Sequence, residues 1–288
     1  VRIDSKVALA TWRAFRVSEG FGPRGTLLGQ PGDNHKAGLN ALPTYTLTLS
    51  QARTTEISIA DLARYLLDWA PVFGPDDMRR AEREGRVLVE VCEFRTKECT
   101  RTCLGPLGRG GEPKTTRARK LRVRFLVACP DAFMTLLEDE LTAAVAKHGA
   151  IGCRLNTLSD LDWERIAPSV LDIAGVTFYD YTKRWANRQV PANYALTYSA
   201  SERTSDRDIA AKVGEGETVA AVFDIKHRPG AKVRLPMVET YAGCRVIDGD
   251  VSDERFNDHG VIVGLRAKGL AQTLTPGERH FVKVARPA

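Results

Sequence analysis

The chain has 288 residues, 43% of them hydrophobic and 27% charged, with a formal net charge of +6. That length suits one large domain or two small ones, and it can carry a barrel of alternating strands and helices, which takes about 250 residues. The longest apolar runs fall well short of the ~18 residues of a membrane span. The opening VRIDSKVALATWRAF shows no signal-peptide core, so a cytoplasmic protein with reduced thiols is expected.

In chain order, residues 1–43 are Gly-rich and read as an irregular N-terminal arm, followed by a single α/β domain over 44–288. TYTLTLS, from Thr44 to Ser50, alternates and is β-branched, which predicts a strand. Residues 56–84 read as two helical pieces broken by Pro71 and Pro75, so 56–86 is expected to be a helical insertion. The run RVLVEV then predicts a strand that leads into the cysteines.

Cys92, Cys99 and Cys103 stand together in CEFRTKECTRTCLGP, separated by six and then three residues. Three thiolates on one loop suggest a metal or iron–sulfur site with one ligand position left open, the arrangement that distinguishes catalytic from closed structural sites. Cys129, Cys153 and Cys244 are isolated on apolar stretches and read as small buried hydrophobes. Directly after the loop, KTTRARKLRVR gathers Lys114, Arg117, Arg119, Lys120, Arg122 and Arg124. Such a cluster is either a solvated basic helix face or a contact for a phosphate-bearing partner, a phosphorylated small molecule or nucleic acid.

PDAFMTLLEDELTAAVAKHG predicts an amphipathic helix that Gly149 ends, with His148 in its last turn. Beyond it, short apolar strands alternate with helices or crossovers: AIGCRL, WERIAPSVLDI, VTFYDYT, NYALTYS, SDRDIAAKV, TVAAVFDIK, CRVID and VIVGLRA. That alternation indicates a mainly parallel sheet in a complete or partial (β/α) barrel. Neither GxGxxG nor GxxxxGK[ST] follows a strand, which disfavours a dinucleotide or nucleotide-triphosphate fold.

Polar residues recur at the strand ends. Asn156, Ser159, Asp160 and Asp162 follow the first of these strands, and Asp180, Tyr181, Thr182 and Lys183 the next. Ser199, Ser201 and Glu202, then Asp248 and Asp250, then Arg266 and Lys268 end the later ones. In parallel barrels such ends converge on one mouth, which the cysteine loop could join. His259, beyond the acidic loop, could also approach it.

The chain resembles the "gene product 88" proteins of actinobacterial phages and plasmids. The resemblance rests on SEGFGPRG, YTLTLS, the three-cysteine loop, RLNTLSDLDWE, FYDYTK, LTYSASE, VIDGDVSDERFND and GVIVGLRAKG, in that order. A phage-encoded member would work in the host cytoplasm. The cysteine loop also resembles the radical S-adenosylmethionine motif, whose cysteines are spaced three and two apart with an aromatic residue before the last; here Thr102 takes that place. This second resemblance implies a [4Fe–4S] cluster on Cys92, Cys99 and Cys103 that binds S-adenosylmethionine. It would make Asp160, Asp162, Asp180 and Lys183 the candidates for catalysis and proton handling, and Asn156, Ser199 and Asp248 those for holding cofactor and substrate. Two other readings remain. One is a transglycosylase-like enzyme that modifies nucleic-acid bases, with a zinc site and Asp160, Asp180 or Asp248 as nucleophile. The other is a non-catalytic, zinc-containing nucleic-acid-binding protein that uses the basic run.

Overall fold

The computed structural model describes residues 1–33, 40–51, 54–58, 79, 83–186, 188–226 and 235–285. Its centre is an open, mostly parallel sheet. Strands β2 (Thr44–Leu47), β5 (Ile151–Arg154), β6 (Val176–Thr182), β7 (Tyr194–Ser199) and β8 (Thr218–Lys226) lie side by side in sequence order. The order then reverses, with β11 (Ile262–Ala267) inserted between β8 and β10 (Cys244–Asp248). All of these pairings are parallel, from Thr44↔Gly152 at one end to Val246↔Ile262 at the other.

The complete barrel allowed by the sequence pattern does not form among the described residues. Each outer parallel strand carries a two-residue antiparallel cover, β1 (Leu28–Gly29) on β2 and β9 (Thr240–Tyr241) on β10. These covers occupy the hydrogen-bonding edges that closure would need. One irregularity positions the site: β7 pairs with β8 only over Thr218–Ala220, and β12 (Val282–Lys283) takes the same role at Val222 and Phe223. The sheet therefore divides past Ser199, and the chain from β7 turns away while β12 enters.

The N-terminal region departs from an irregular arm. Helix α1 (Ser5–Ser18) begins at Asp4, whose carboxylate accepts hydrogen bonds from Lys6 N and Val7 N. Its buried stripe of Ala8 and Trp12 packs toward Phe125 of α3 (Pro113–Ala128), with the Trp12 and Phe125 rings 4.7 Å apart. The Gly-rich character begins only after this helix. Helix α4 (Pro130–His148) forms as its spacing predicts and ends at Gly149 with φ 79°, a left-handed conformation that glycine adopts freely. His148 contacts the Tyr45 hydroxyl at 3.2 Å. Helices α1, α3 and α4 share one core with β2, β5 and β6.

The strand before the cysteines is also placed differently from expectation. Strand β4 (Arg86–Val89) pairs antiparallel with β3 (Thr55–Ser58) in a separate two-stranded ribbon, so it is not a strand of the main sheet. The helical insertion expected over 56–86 lies mostly outside the described residues. Cys153 is fully buried, whereas Cys129 and Cys244 are half-buried. No helix among the described residues is long and apolar enough to cross a membrane.

Candidate active site

The cysteine loop is held over the strand ends by polar ties that originate far away in sequence. Asp160 N–H donates to Val91 O at 2.8 Å, which fastens the start of the loop to the turn after β5. Thr96 caps the short helix α2 (Lys97–Arg101), and the Glu202 carboxylate, from the turn after β7, accepts from Thr96 Oγ1 at 2.7 Å and Glu98 N at 2.9 Å. Burial pushes the Glu202 carboxyl up, but those hydrogen bonds outweigh it and hold the group below its ordinary value. Glu98 in turn accepts from Phe281 N at 2.8 Å, just before β12. Beyond Cys103 the chain folds tightly on itself, and a Cβ on Gly111 would sit 2.3 Å from Pro106 O, so that contact requires glycine.

Between this loop and the sheet lies a cavity of about 440 Å³. Cys92, Cys99 and Cys103 form one wall. The opposite side comes from the strand ends: Arg154 of β5, Tyr181 and Lys183 at β6, Ser199 of β7, Val222 of β8, and Leu265 and Arg266 of β11. Asn156, Ser159 and Asp160 contribute from the turn after β5, and Phe281 from the approach to β12. Strand ends that are remote in sequence thus meet the cysteines at one mouth.

The thiols are mutually close. Burial raises the Cys92 thiol far above its ordinary value, and Asp160 and Cys99 add to the shift. Burial also raises Cys99, with Cys103 adding and Lys183 opposing. Burial thus favours the protonated thiols, and a metal partner would have to displace those protons. Among the described residues, no group of three or more His, Cys, Asp or Glu side chains is placed to hold a metal ion. A tetrahedral zinc would draw its sulfurs to about 3.8 Å from one another, given Zn–S bonds of about 2.3 Å. A cubane engages each thiolate at a different iron and needs the sulfurs spread around a hollow. Cys92, Cys99 and Cys103 are free thiols that line the cavity.

The predicted site residues divide between the cavity and its supports. Asp160 lines the cavity, and its Oδ2 accepts from Lys183 N at 2.7 Å, while its buried Oδ1 has no hydrogen-bond partner. Burial raises its carboxyl above the ordinary value despite these neighbours, which favours the protonated form. The Lys183 ammonium lies 5.3 Å from the Phe281 ring and enters no ion pair or hydrogen bond with a described residue. Ser199 also lines the cavity. Asn156 borders it, but its Oδ1 accepts from Ser159 Oγ, Leu161 N and Trp163 Nε1, so its side chain shapes the turn.

Asp162, Asp180 and Asp248 do not line the cavity. Asp162 is engaged by Arg184 and lies 3.5 Å from Arg188. Asp248 receives a bidentate fork from Arg266, both bonds at 2.8 Å, which outweighs burial and holds its carboxyl below the ordinary range. Asp180 is fully buried on the opposite face of β6, where it accepts from Asn156 N at 2.7 Å and Tyr194 Oη at 2.8 Å. His259 is exposed and stands outside the cavity lining. Sequence reasoning missed Arg154 and Asp253, a pair at 2.8 Å that lines the floor. A charged residue at the end of the apolar run IGCR was the available signal for the first.

The basic run belongs to α3 and is largely turned inward. Arg119 donates to Gly105 O at 2.9 Å and Gly110 O at 3.0 Å, anchoring the chain beyond Cys103. Arg122 donates to Leu27 O at 2.7 Å, and Arg124 pairs with Glu19. Lys114 and Arg117 are exposed, and Lys120 is half-buried. Burial lowers Arg122 to about 10. Arg122→Met is therefore expected to lower the unfolding free energy in urea by about 1–3 kcal/mol, because Leu27 O loses its charged donor. Lys114→Ala should remain within about 0.5 kcal/mol of the parent.

Fold and site together define an α/β protein with an open parallel sheet, whose strand ends and a three-cysteine loop enclose one cavity. The chain belongs to the Gene product 88 family, whose model matches residues 45–283. No curated protein and no solved structure matches it.

Proposed function

We propose that the protein is an iron–sulfur enzyme of the radical S-adenosylmethionine type, acting on a phosphorylated small molecule or a nucleotide. The observation that carries this reading is the single cavity in which Cys92, Cys99 and Cys103 face the ends of β5, β6, β7, β8 and β11. Cys92, Cys99 and Cys103 would hold a [4Fe–4S] cluster through three of its irons. Such a cluster, reduced by an external one-electron donor, would supply the electron that cleaves bound S-adenosylmethionine into methionine and a radical able to abstract hydrogen from unactivated carbon. The chain provides the surroundings. Asp160, whose carboxyl burial raises above its ordinary value, lines the cavity near Cys92 and is positioned to give or take a proton there. Lys183 places an unpaired cation against the thiol wall, and Arg154 with Tyr181 forms a polar floor. Phe281, Leu265 and Val222 exclude water from the far side.

A strand-end aspartate nucleophile has less support. Asp180 and Asp248 lie outside the cavity lining, and burial disfavours the ionised Asp160 carboxylate that a nucleophile requires. Anaerobic reconstitution with iron and sulfide tests the proposal. The expected product is brown, absorbs at about 400 nm and carries about four irons per chain. A colourless protein that retains no iron after gel filtration sinks it.

A further inference from the structure

A second cavity, of about 430 Å³, adjoins the first, and Lys183 is the one described residue that lines both. Phe94 and Thr96 of the cysteine loop, Trp185 after β6, the turn Ser201–Thr204 and the face of helix α7 (Asp206–Gly214) enclose it. This size falls within the range of small-molecule sites, about 300–1,000 Å³.

Its charges are unevenly balanced. The acids on its wall are already engaged: Asp208 accepts from Ser205 N and Ser205 Oγ in the capping box that starts α7, and Glu215 pairs with Lys212 at 3.3 Å. Two cations are not. The half-buried Lys183 ammonium and the exposed Arg203 guanidinium form no ion pair and no side-chain hydrogen bond with any described residue. Beside them stand two aromatic rings. Trp185 is anchored by its Nε1 donating to Ser199 O at 3.2 Å, and Phe94 carries the Arg184 guanidinium at 5.4 Å.

We infer that this second cavity binds a free nucleoside monophosphate, with Lys183 and Arg203 on the phosphate and Trp185 and Phe94 beside the base. A phosphate monoester carries nearly two negative charges at neutral pH, which the two unpaired cations match. Aromatic side chains accept the faces of any base, so the site selects for the phosphate more strongly than for base identity. As the substrate seat of the chemistry proposed above the assignment rests on that reading; as a binding site it stands without it. Lys183 would then touch the phosphate from one side and the thiol-lined cavity from the other.

Calorimetric titration of the full chain, before and after anaerobic reconstitution, separates the two ideas. The probes are AMP, UMP, adenosine, inorganic phosphate and a short single-stranded oligonucleotide. AMP and UMP should bind with similar affinity, and adenosine should bind at least about tenfold more weakly. Arg203→Ala, at an exposed position whose loss leaves the fold intact by circular dichroism, should weaken AMP binding at least about tenfold. Trp185→Leu should weaken AMP while leaving inorganic phosphate unchanged. No binding of either mononucleotide at about 1 mM overturns the inference, as does unaltered affinity in Arg203→Ala. An oligonucleotide that binds more tightly than AMP overturns the choice of a free mononucleotide. Nucleotide binding by a protein that takes up no iron would remove the cluster reading alone, and iron without nucleotide binding would remove this one alone.

Discussion

Cys99→Ala, reconstituted anaerobically beside the parent, should lose the absorbance at about 400 nm and most of its iron while unfolding at nearly the same urea concentration. The thiol is half-buried and lines a cavity wall, so its removal leaves the packed core intact. Cys92→Ala and Cys103→Ala should behave in the same way, since all three belong to that wall. The informative control is Cys153→Ala. Cys153 is fully buried within β5, and its loss should cost about 1–2 kcal/mol in stability while sparing the iron. Iron content tracks the wall, and stability tracks the core. Full iron in Cys99→Ala would show that the thiols are not the ligands, whatever colour the parent takes.

The second large effect is expected at Asp180. Asp180→Ala would leave Asn156 N–H and Tyr194 Oη without their acceptor and remove a carboxylate 4.0 Å from the Arg154 guanidinium. Removing one member of a buried charged group costs about 3–5 kcal/mol, so this variant should unfold at markedly lower urea. Asp180→Asn keeps an oxygen for Asn156 N–H, and its amide can donate to Tyr194 Oη, so it should cost less. Its value lies in the pH dependence. Burial, the largest influence, raises the Asp180 carboxyl from 3.8 to about 7 against the opposing pull of Arg154. Between those values the folded chain binds the proton more tightly than the unfolded chain does. The contribution is therefore present at low pH and is lost as pH rises toward and through about 7. Urea unfolding at pH values across that window should show a falling stability in the parent that is absent from Asp180→Asn. The same slope in both proteins would assign the titration to another group.

Much of this architecture was legible because its signals are local. The apolar runs from Ile151 to Ala267 are short and regularly spaced, and they became the parallel strands in the expected order along the chain. The cysteine loop and the polar strand ends were legible as a convergent set for the same reason. Side-chain parity within a strand could have refined that set further. In β6, Tyr181 lines the cavity, so Asp180, its neighbour along the strand, faces the other way. Long-range pairing was not legible. Nothing local to Asp162 or Asp248 announces that Arg188 or Arg266 will engage them, because those partners arrive through the tertiary fold. Helix α1 was hidden by the Gly-rich segment behind it, although Asp4 and the spacing of Ala8 and Trp12 carried its signal. The ends of the sheet were equally opaque, since two-residue strands such as β1 and β9 have too little sequence to show a period.

The short strand β12 ties the two cavities together. Phe281, just before it, lines the first, while the fully buried Lys283 ammonium donates to Ser201 O and Thr204 O, in the turn that lines the second. Any ligand that moves this strand from one side changes the shape of the other side. Thermodynamic reciprocity then requires the two occupants to alter one another's affinity by the same factor. A residue pair that looks like a seam in the sheet is thus also a link, through which anything bound in one cavity would bear on binding in the other.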